Sequence, residues 1–122
     1  PMQNPELPSN ENQRLQELLT YQVLDTDDEV EFNFLVELAS QICGTKIALI
    51  SLIDSHRQWF KAKIGLEQNS TPRQLAFCAH AILNPNEPLV IQDAREDDRF
   101  KENPLVYGEP HLVFYAGIPL VT

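Results

Sequence analysis

The residues best suited to chemistry in this sequence are a cysteine and a histidine one position apart, Cys78 and His80. A thiolate beside an imidazole forms a nucleophile and base pair, and both side chains are zinc ligands. The spacing argues against either use on a helix, because positions i and i+2 point about 200° apart. We therefore expect Cys78 to be a small, buried core residue.

A second set of side chains combines a charge, a ring and an imidazole. Arg73, Phe77 and His80 follow one another at i, i+4 and i+7, the spacing of one helical face. Such a face could line a ligand pocket, or Phe77 could pack on the turn at 97–100 while Arg73 pairs with a carboxylate such as Asp93. The residues that we predict to contact a ligand are Arg73, Phe77, His80, Asp93, Phe100 and Tyr115.

The sequence indicates no motif for phosphate binding, serine hydrolysis or metal binding. The four glycines form no phosphate-binding loop or serine elbow, and the histidines and cysteines lack the spacing of metal ligands. The acidic residues between 93 and 98 lack the spacing of a calcium-binding loop, and helix capping and solvation explain them. We predict no metal site, no cofactor and no catalytic residue.

Composition restricts the class of protein. The chain has 122 residues, 43% of them hydrophobic, which is enough for one domain with a core. Its formal net charge of −9 has the wrong sign for binding nucleic acid. There is no apolar run of membrane-spanning length, no secretory leader and no disulfide framework, so we expect a cytoplasmic protein without a membrane partner.

Charge is distributed unevenly along the chain. Residues 1–45 carry nine acids and one base, whereas residues 46–73 carry five bases and two acids. In the basic part, Trp59, Lys61 and Lys63 alternate on one face of a predicted strand. That face could bind an anion or a partner helix, or it could be the solvated face of an edge strand, where lysines prevent aggregation.

Two helices are predicted before the first strand. The first runs from Asn10 to Thr20 and places Leu15, Leu18 and Leu19 on one face. The second begins with a capping box of Thr26 and Glu29 and ends at Gly44. Its apolar stripe, which we expect to be buried, consists of Phe32, Leu35, Val36, Ala39, Ile42 and Cys43.

Strands dominate the rest of the chain. Residues 46–54 are apolar on both faces, which predicts a central strand, and residues 58–64 complete a hairpin with it. A third helix is predicted from Thr71, as N-cap, to Asn84. A short strand is expected at 89–92 and a longer one at 112–121, with a turn at 97–100. This order favours an α+β fold with an antiparallel sheet.

The chain resembles the GAF domains that serve as N-terminal input modules in bacterial, including cyanobacterial-like, sensor histidine kinases and diguanylate cyclases. Quoted as they stand, its motifs include Arg57-Gln-Trp-Phe-Lys61, Ala76-Phe-Cys-Ala-His80, Asp98-Arg-Phe100 and Phe114-Tyr-Ala-Gly117, with further blocks at 21–26, 47–54, 71–73 and 103–106. The resemblance implies a PAS-related antiparallel sheet with helices on one face, and a small-molecule pocket or its relic on the other.

Domain limits follow from this resemblance. We expect residues 1–10 to be a flexible segment and residues 11–122 to be the GAF domain. Similar domains continue through two more strands and a C-terminal signalling helix, so we expect the domain to be incomplete at its C-terminus. One missing strand would pair beside 47–53, and its absence would leave strand edges open.

The function that the resemblance implies is regulatory and non-catalytic. The module would bind a small molecule, or relay dimer geometry, and thereby control a histidine kinase or cyclase domain in the same chain. Leu15, Leu18 and Leu19 are the predicted homodimer contacts. The alternatives are a structural dimerisation module with a collapsed pocket and a thiol-based methionine sulfoxide reductase. Bilin attachment is disfavoured because bilin-carrying relatives have the histidine directly after the cysteine.

Overall fold

The computed structural model describes residues 4–120, and these form two compact units. The first unit comprises residues 10–71. The second comprises residues 72–120 together with the N-terminal segment up to Ser9. Each unit has its own helices and strands, and each is described by itself below. No helix within residues 4–120 has the length and apolar character needed to cross a membrane.

The first unit begins with two helices, α1 (Glu11–Tyr21) and α2 (Val30–Cys43). Asn10 precedes α1 as predicted, although its side chain makes no capping hydrogen bond. The predicted start of α2 is wrong, because Thr26 lies outside the helix and its hydroxyl bonds to Val23 O and Lys61 Nζ instead. The end of α2 is confirmed: Gly44 adopts the left-handed conformation at φ 65°.

Three strands complete the first unit: β1 (Ala48–Ile53), β2 (Arg57–Ile64) and β3 (Ser70–Pro72). β1 and β2 form the predicted antiparallel hairpin, and the strand order is β1-β2-β3. The central strand is therefore β2. We predicted that position for β1, which has a strand neighbour on only one side within the described residues.

A β-bulge changes the direction in which one side chain of β2 points. Ile50 is paired with Ala62 and Ser51 with Phe60, so Lys61 is the extra residue. Residues 58–62 are all buried, and Lys61 is only 3% exposed. The alternative of a solvated edge strand at Trp59, Lys61 and Lys63 is therefore wrong, because the central strand is covered on both faces.

Lys61 is a buried cation with a full set of partners. Its Nζ donates to Thr26 Oγ1 at 2.6 Å and to Asp27 O at 2.7 Å, and it pairs with Glu29 Oε2 at 2.8 Å. The ring of Phe32 lies 5.9 Å from the same nitrogen. Three donors thus meet three acceptors, as a buried ammonium requires.

A second cation holds the same connection between α1 and α2. Arg57 donates to both carboxylate oxygens of Asp25, at 2.9 and 2.6 Å, and pairs more loosely with Asp54. These hydrogen bonds hold the pKa of the Asp25 carboxyl below its ordinary value. Asp25 sits at φ 60°, a conformation that this local pairing supports.

The second unit contains β4 (Leu89–Ile91) and β5 (Tyr115–Gly117), which pair antiparallel, and two short helices, α3 (Phe77–Ala81) and α4 (Pro104–Tyr107). Single 3-10 turns lie at Arg73–Leu75 and Ala94–Glu96. Strands and helices together confirm the α+β class. The strands form two separate sheets, of three and two strands, within the described residues.

Two predicted elements of this unit are shorter than expected. The helix predicted from Thr71 to Asn84 is divided at Ala76, which is extended at φ −80° and ψ 126°. Thr71 does not cap it, because its hydroxyl bonds to Gln58 Oε1 in the first unit's sheet. Of the strand predicted at 112–121, the described part up to residue 120 is reduced to Tyr115–Gly117, where β4 supplies its hydrogen bonds, and residue 121 lies outside the described residues. The turn at 97–100 is confirmed by the bond from Phe100 N to Asp97 O.

Candidate functional site

Four of the six predicted ligand residues form one aromatic cluster in the second unit. The ring of Phe77 stacks on Phe100, with centroids 4.1 Å apart, and meets Tyr115 at 5.1 Å. His80 contacts the edge of Phe100 at 4.8 Å. Phe77 and Phe100 are core residues that pack with Ile91, Ala94 and Val106. Phe77 and Phe100 therefore belong to the core of this unit rather than to an open ligand-binding surface.

Tyr115 connects this cluster to Cys78. Its hydroxyl lies 3.1 Å from the Cys78 sulfur, and burial raises the pKa of Tyr115, so the phenol keeps its proton. The ring lies over Gly117, the residue two positions along on the same face of β5. A Cβ on Gly117 would lie 2.2 Å from the tyrosine hydroxyl, so only glycine allows this approach.

Substituting Gly117→Ala should therefore displace Tyr115 and expose the Cys78 thiol. We expect Cys78 to react with a disulfide reagent at least about tenfold faster than in the parent protein, since reaction follows access of the thiol. The assay uses a Cys43→Ser background because Cys43 is exposed. Tyr115→Phe keeps the ring and removes the hydroxyl, so this variant distinguishes the effect of the hydrogen bond to Cys78 from the shielding of Cys78 by the ring. An unchanged rate in Gly117→Ala would show that the ring does not protect Cys78.

His80 is the member of the cluster that reaches the surface. It borders a shallow cavity of about 410 Å³ that is open to solvent and whose other lining residues are Asn4, Glu6 and Leu83. Burial lowers the pKa of His80, with a further contribution from the Arg99 cation and an opposing one from Asp97. Asp97 and Arg99 are themselves paired through two hydrogen bonds, at 3.0 and 2.9 Å. His80 is therefore a neutral imidazole at pH 7, able to donate and accept at this opening.

The lowered pKa of His80 predicts a pH dependence of stability. The unfolded chain binds a proton near the ordinary pKa of 6.5, before the folded chain does, so the free energy of unfolding should fall as pH drops from about 7 to 5. The paired carboxylates Asp25, Asp93 and Asp97 have pKa values below 3.8 and act only at lower pH. Urea denaturation should show this loss in the parent and not in His80→Gln. Equal pH profiles would contradict it.

The remaining two predicted ligand residues lie apart from the rings. Arg73 is buried within the 3-10 turn that precedes Ala76, so the break in the helix removes the continuous face that it was predicted to share with Phe77 and His80. Asp93 bonds to Arg95, from which it accepts two side-chain hydrogen bonds at 2.8 and 2.7 Å. Residues Asn4 and Glu6, which border the cavity, were not predicted because no motif marks them.

The two cysteines differ from their predicted environment. Cys43 is exposed, so its predicted burial is wrong, whereas Cys78 is half-buried beside Tyr115. Cys43 lies seven residues after the buried Val36, on nearly the same side of α2, but it is the last residue of the helix and stays exposed. Among residues 4–120, no group of three or more histidine, cysteine or carboxylate side chains is placed to hold a metal ion.

The predicted dimer contacts lie on α1. Leu15 and Leu18 are half-buried, whereas Leu19 is 68% exposed. Arg14, on the same helix, donates to Ile53 O at 2.6 Å and pairs with Glu11. α1 is therefore attached to β1, and Leu19 is the leucine of this set that remains most available for an interface.

Comparison with known proteins identifies the family. The model of the GAF domain matches residues 28–122. A cyclic di-GMP phosphodiesterase of Pseudomonas aeruginosa is 41% identical over 121 residues, which is 99% of this chain and 20% of that protein. The chain thus spans about a fifth of the length of this relative. With the helices and antiparallel sheets described above, the family match shows that the chain belongs to the GAF domain family.

Proposed function

We propose that this GAF domain is a non-catalytic regulatory module that controls a signalling enzyme acting on cyclic di-GMP. The observation that carries the proposal is the match over 99% of the chain to a segment of a cyclic di-GMP phosphodiesterase. The resemblance to input domains of histidine kinases and diguanylate cyclases suggested other outputs. The phosphodiesterase relative favours an output that hydrolyses the nucleotide.

The module would control its enzyme by a shift between two arrangements, one of them favoured by a bound small molecule. The ligand would enter the cavity beside His80, where Asn4, Glu6 and Leu83 supply polar and apolar contacts. Binding would be transmitted through Phe100, whose ring touches His80 on one side and stacks on Phe77 on the other. We retain Arg73, Asp93 and Tyr115 as proposed contributors, at the positions given above.

A chimera tests the regulatory role. In it, this chain replaces the aligned segment of the Pseudomonas phosphodiesterase, and hydrolysis of cyclic di-GMP is compared with the native enzyme and with a deletion of the segment. We expect the chimera to restore the regulated rate that the deletion loses. A chimera that behaves like the deletion would contradict the proposal. Circular dichroism of the isolated chain serves as the folding control.

A second candidate function is a structural dimerisation module with a collapsed pocket. The close stacking of Phe77 on Phe100 favours it, because these rings fill the interior below His80. Native mass spectrometry distinguishes the two functions. A bound small molecule that is lost in His80→Gln supports the sensor, and a dimer without added mass supports the structural module.

Self-association through α1 gives a further prediction. Leu19 is exposed, so Leu19→Glu should leave the fold intact and place a charge in the proposed homodimer contact beside Leu15 and Leu18. We expect light scattering to show a dimer for the parent chain and a dissociation constant at least about tenfold larger for the variant. Leu7→Glu, at another exposed leucine, is the matched control. A parent chain that is monomeric at high concentration would contradict dimerisation through α1.

A further inference from the structure

Within residues 4–120, the chain passes between its two units at two places. The crossing at 71–72 lies in β3, which pairs with β2, and the Thr71 hydroxyl donates to Gln58 Oε1 at 3.2 Å. The other crossing follows Ser9, just before α1. Residues 4–9, which we call the N-terminal strap, contact the second unit although the chain continues from them directly into the first.

The N-terminal strap forms one side of the cavity beside His80. Asn4 and Glu6 line the cavity from the strap, and His80 and Leu83 line it from α3 and the turn that follows. Because the cavity lies between the strap and the end of α3, its width depends on where the strap lies.

The strap is stiff but weakly held. Proline fixes φ at Pro5 and Pro8, which are half-buried, and disfavours helical backbone at the residue before each of them. Among the described residues, no hydrogen bond or ion pair holds residues 4–9, so packing alone keeps them in place. Such a segment moves as one piece at low cost, because few contacts break and few of its dihedral angles absorb the motion.

Helix α1 follows the strap almost immediately. Only Asn10 separates the strap from Glu11, the first residue of α1, and Asn10 O already accepts a helical hydrogen bond from Arg14 N. The guanidinium of Arg14 donates to Ile53 O at 2.6 Å. A displacement of the strap would therefore move the first turn of α1, and this bond would carry the change to β1.

We propose that the N-terminal strap is a movable wall of the cavity, which a bound small molecule holds against α3 and which thereby sets the position of the first turn of α1. This inference rests on the regulatory function proposed above and names the connection through which the same site would act. A molecule that contacts His80 together with Asn4 or Glu6 binds the docked strap more tightly than the released one, so binding shifts the population toward docking.

Paramagnetic broadening tests the docked position without a ligand. A nitroxide on Asn4→Cys, in a background of Cys43→Ser and Cys78→Ser, should broaden the ring signals of His80 in NMR spectra. Leu83→Asp places a charge in the apolar part of the contact and should reduce this broadening at least about threefold. Absence of broadening in the labelled parent would overturn the proposal.

Asn84→Asp is the matched control for Leu83→Asp. It adds the same charge at an exposed position one residue further along, outside the cavity lining, and should leave the broadening of His80 unchanged. Equal effects of the two variants would mean that charge, and not contact with Leu83, releases the strap, which would overturn the proposal. Circular dichroism shows whether each variant remains folded.

A flexible insertion tests the connection to α1. Leu83→Asp should shift the backbone amide signals of residues 11–14 when the strap is continuous with α1. A linker of about six glycines between Ser9 and Asn10 lets the strap dock without pulling on the helix, and should reduce these shifts at least about threefold. Absence of the shifts, or equal shifts with and without the linker, would overturn the proposal.

The chimera with the Pseudomonas phosphodiesterase gives the functional readout. The glycine linker after Ser9 should reduce the regulated rate to that of the deletion, whereas the same linker after the exposed Glu67 should not. Regulation that survives the linker after Ser9 would overturn the strap and leave the regulatory role intact. A chimera without regulation would instead contradict the proposed function, and the NMR comparison would still decide whether the strap moves α1.

Discussion

Gly65→Ala should lower the free energy of unfolding by at least about 3 kcal/mol. Gly65 ends β2 at φ 84°, where a side chain is strained, and its Cβ would lie 2.1 Å from Lys46 O. A backbone carbonyl next to a strand cannot move aside as a flexible side chain would. Urea denaturation followed by circular dichroism measures the change.

Gly44→Ala is the matched control for Gly65→Ala. Gly44 has a similar positive φ of 65°, but no atom lies within 4 Å of the position that a Cβ would take. We expect it to cost only about 1 kcal/mol, the penalty of the conformation alone. Equal losses at the two glycines would mean that the contact with Lys46 contributes nothing.

Phe100→Ala should lower the free energy of unfolding by about 3–5 kcal/mol, a large part of the stability of a domain of this size. Phe100 is 1% exposed, stacks on Phe77 and lies beneath Arg99, whose guanidinium carbon is 5.2 Å from the ring centroid. Its removal leaves a cavity and exposes His80. The pKa of His80 should therefore return toward its ordinary value, which NMR titration measures.

Two controls accompany Phe100→Ala. Phe100→Leu keeps much of the volume and should cost about 1 kcal/mol. Phe114→Ala removes a half-exposed ring and should change the free energy of unfolding by no more than about 0.5 kcal/mol. A loss in Phe114→Ala as large as that in Phe100→Ala would contradict the core assignment. Because Phe100→Ala disturbs the fold, loss of a ligand in this variant does not identify a contact, whereas loss in His80→Gln does.

The fold could be predicted from the sequence where local patterns determine structure. The first helix, the β1–β2 hairpin and the glycine that ends α2 all follow from periodicity and residue type. The prediction of a continuous helix from Thr71 was wrong, because the side-chain group that would cap the helix forms a tertiary hydrogen bond instead. Thr71 bonds to Gln58, just as Thr26 bonds to Lys61 at the predicted start of α2.

The candidate site was predictable in part. Spacing placed Phe77 near His80, and Phe100 and Tyr115 were predicted to belong to the same set. The structure shows that these four rings from distant parts of the chain contact one another. The role of Lys61 could not be predicted, because a bulge changes the face to which a residue points and leaves no mark in a period-2 pattern. The exposure of several apolar side chains of α2 could not be predicted either, since apolar periodicity does not show which face of a helix packs on the sheet.

Two of the cations of β2 also limit how this chain can change in length. Arg57 and Lys61 hold Asp25 and the segment 26–29 at fixed points along one strand. An inserted or deleted residue between Asp25 and Glu29 would move one of these carboxylates beyond hydrogen-bonding distance of its cation. Residues 66–69, between β2 and β3, are mostly exposed, and Lys63 Nζ holds them through Leu66 O and Glu67 O, backbone carbonyls that any residue can supply. Natural variation in length should therefore concentrate in the second connection and spare the first.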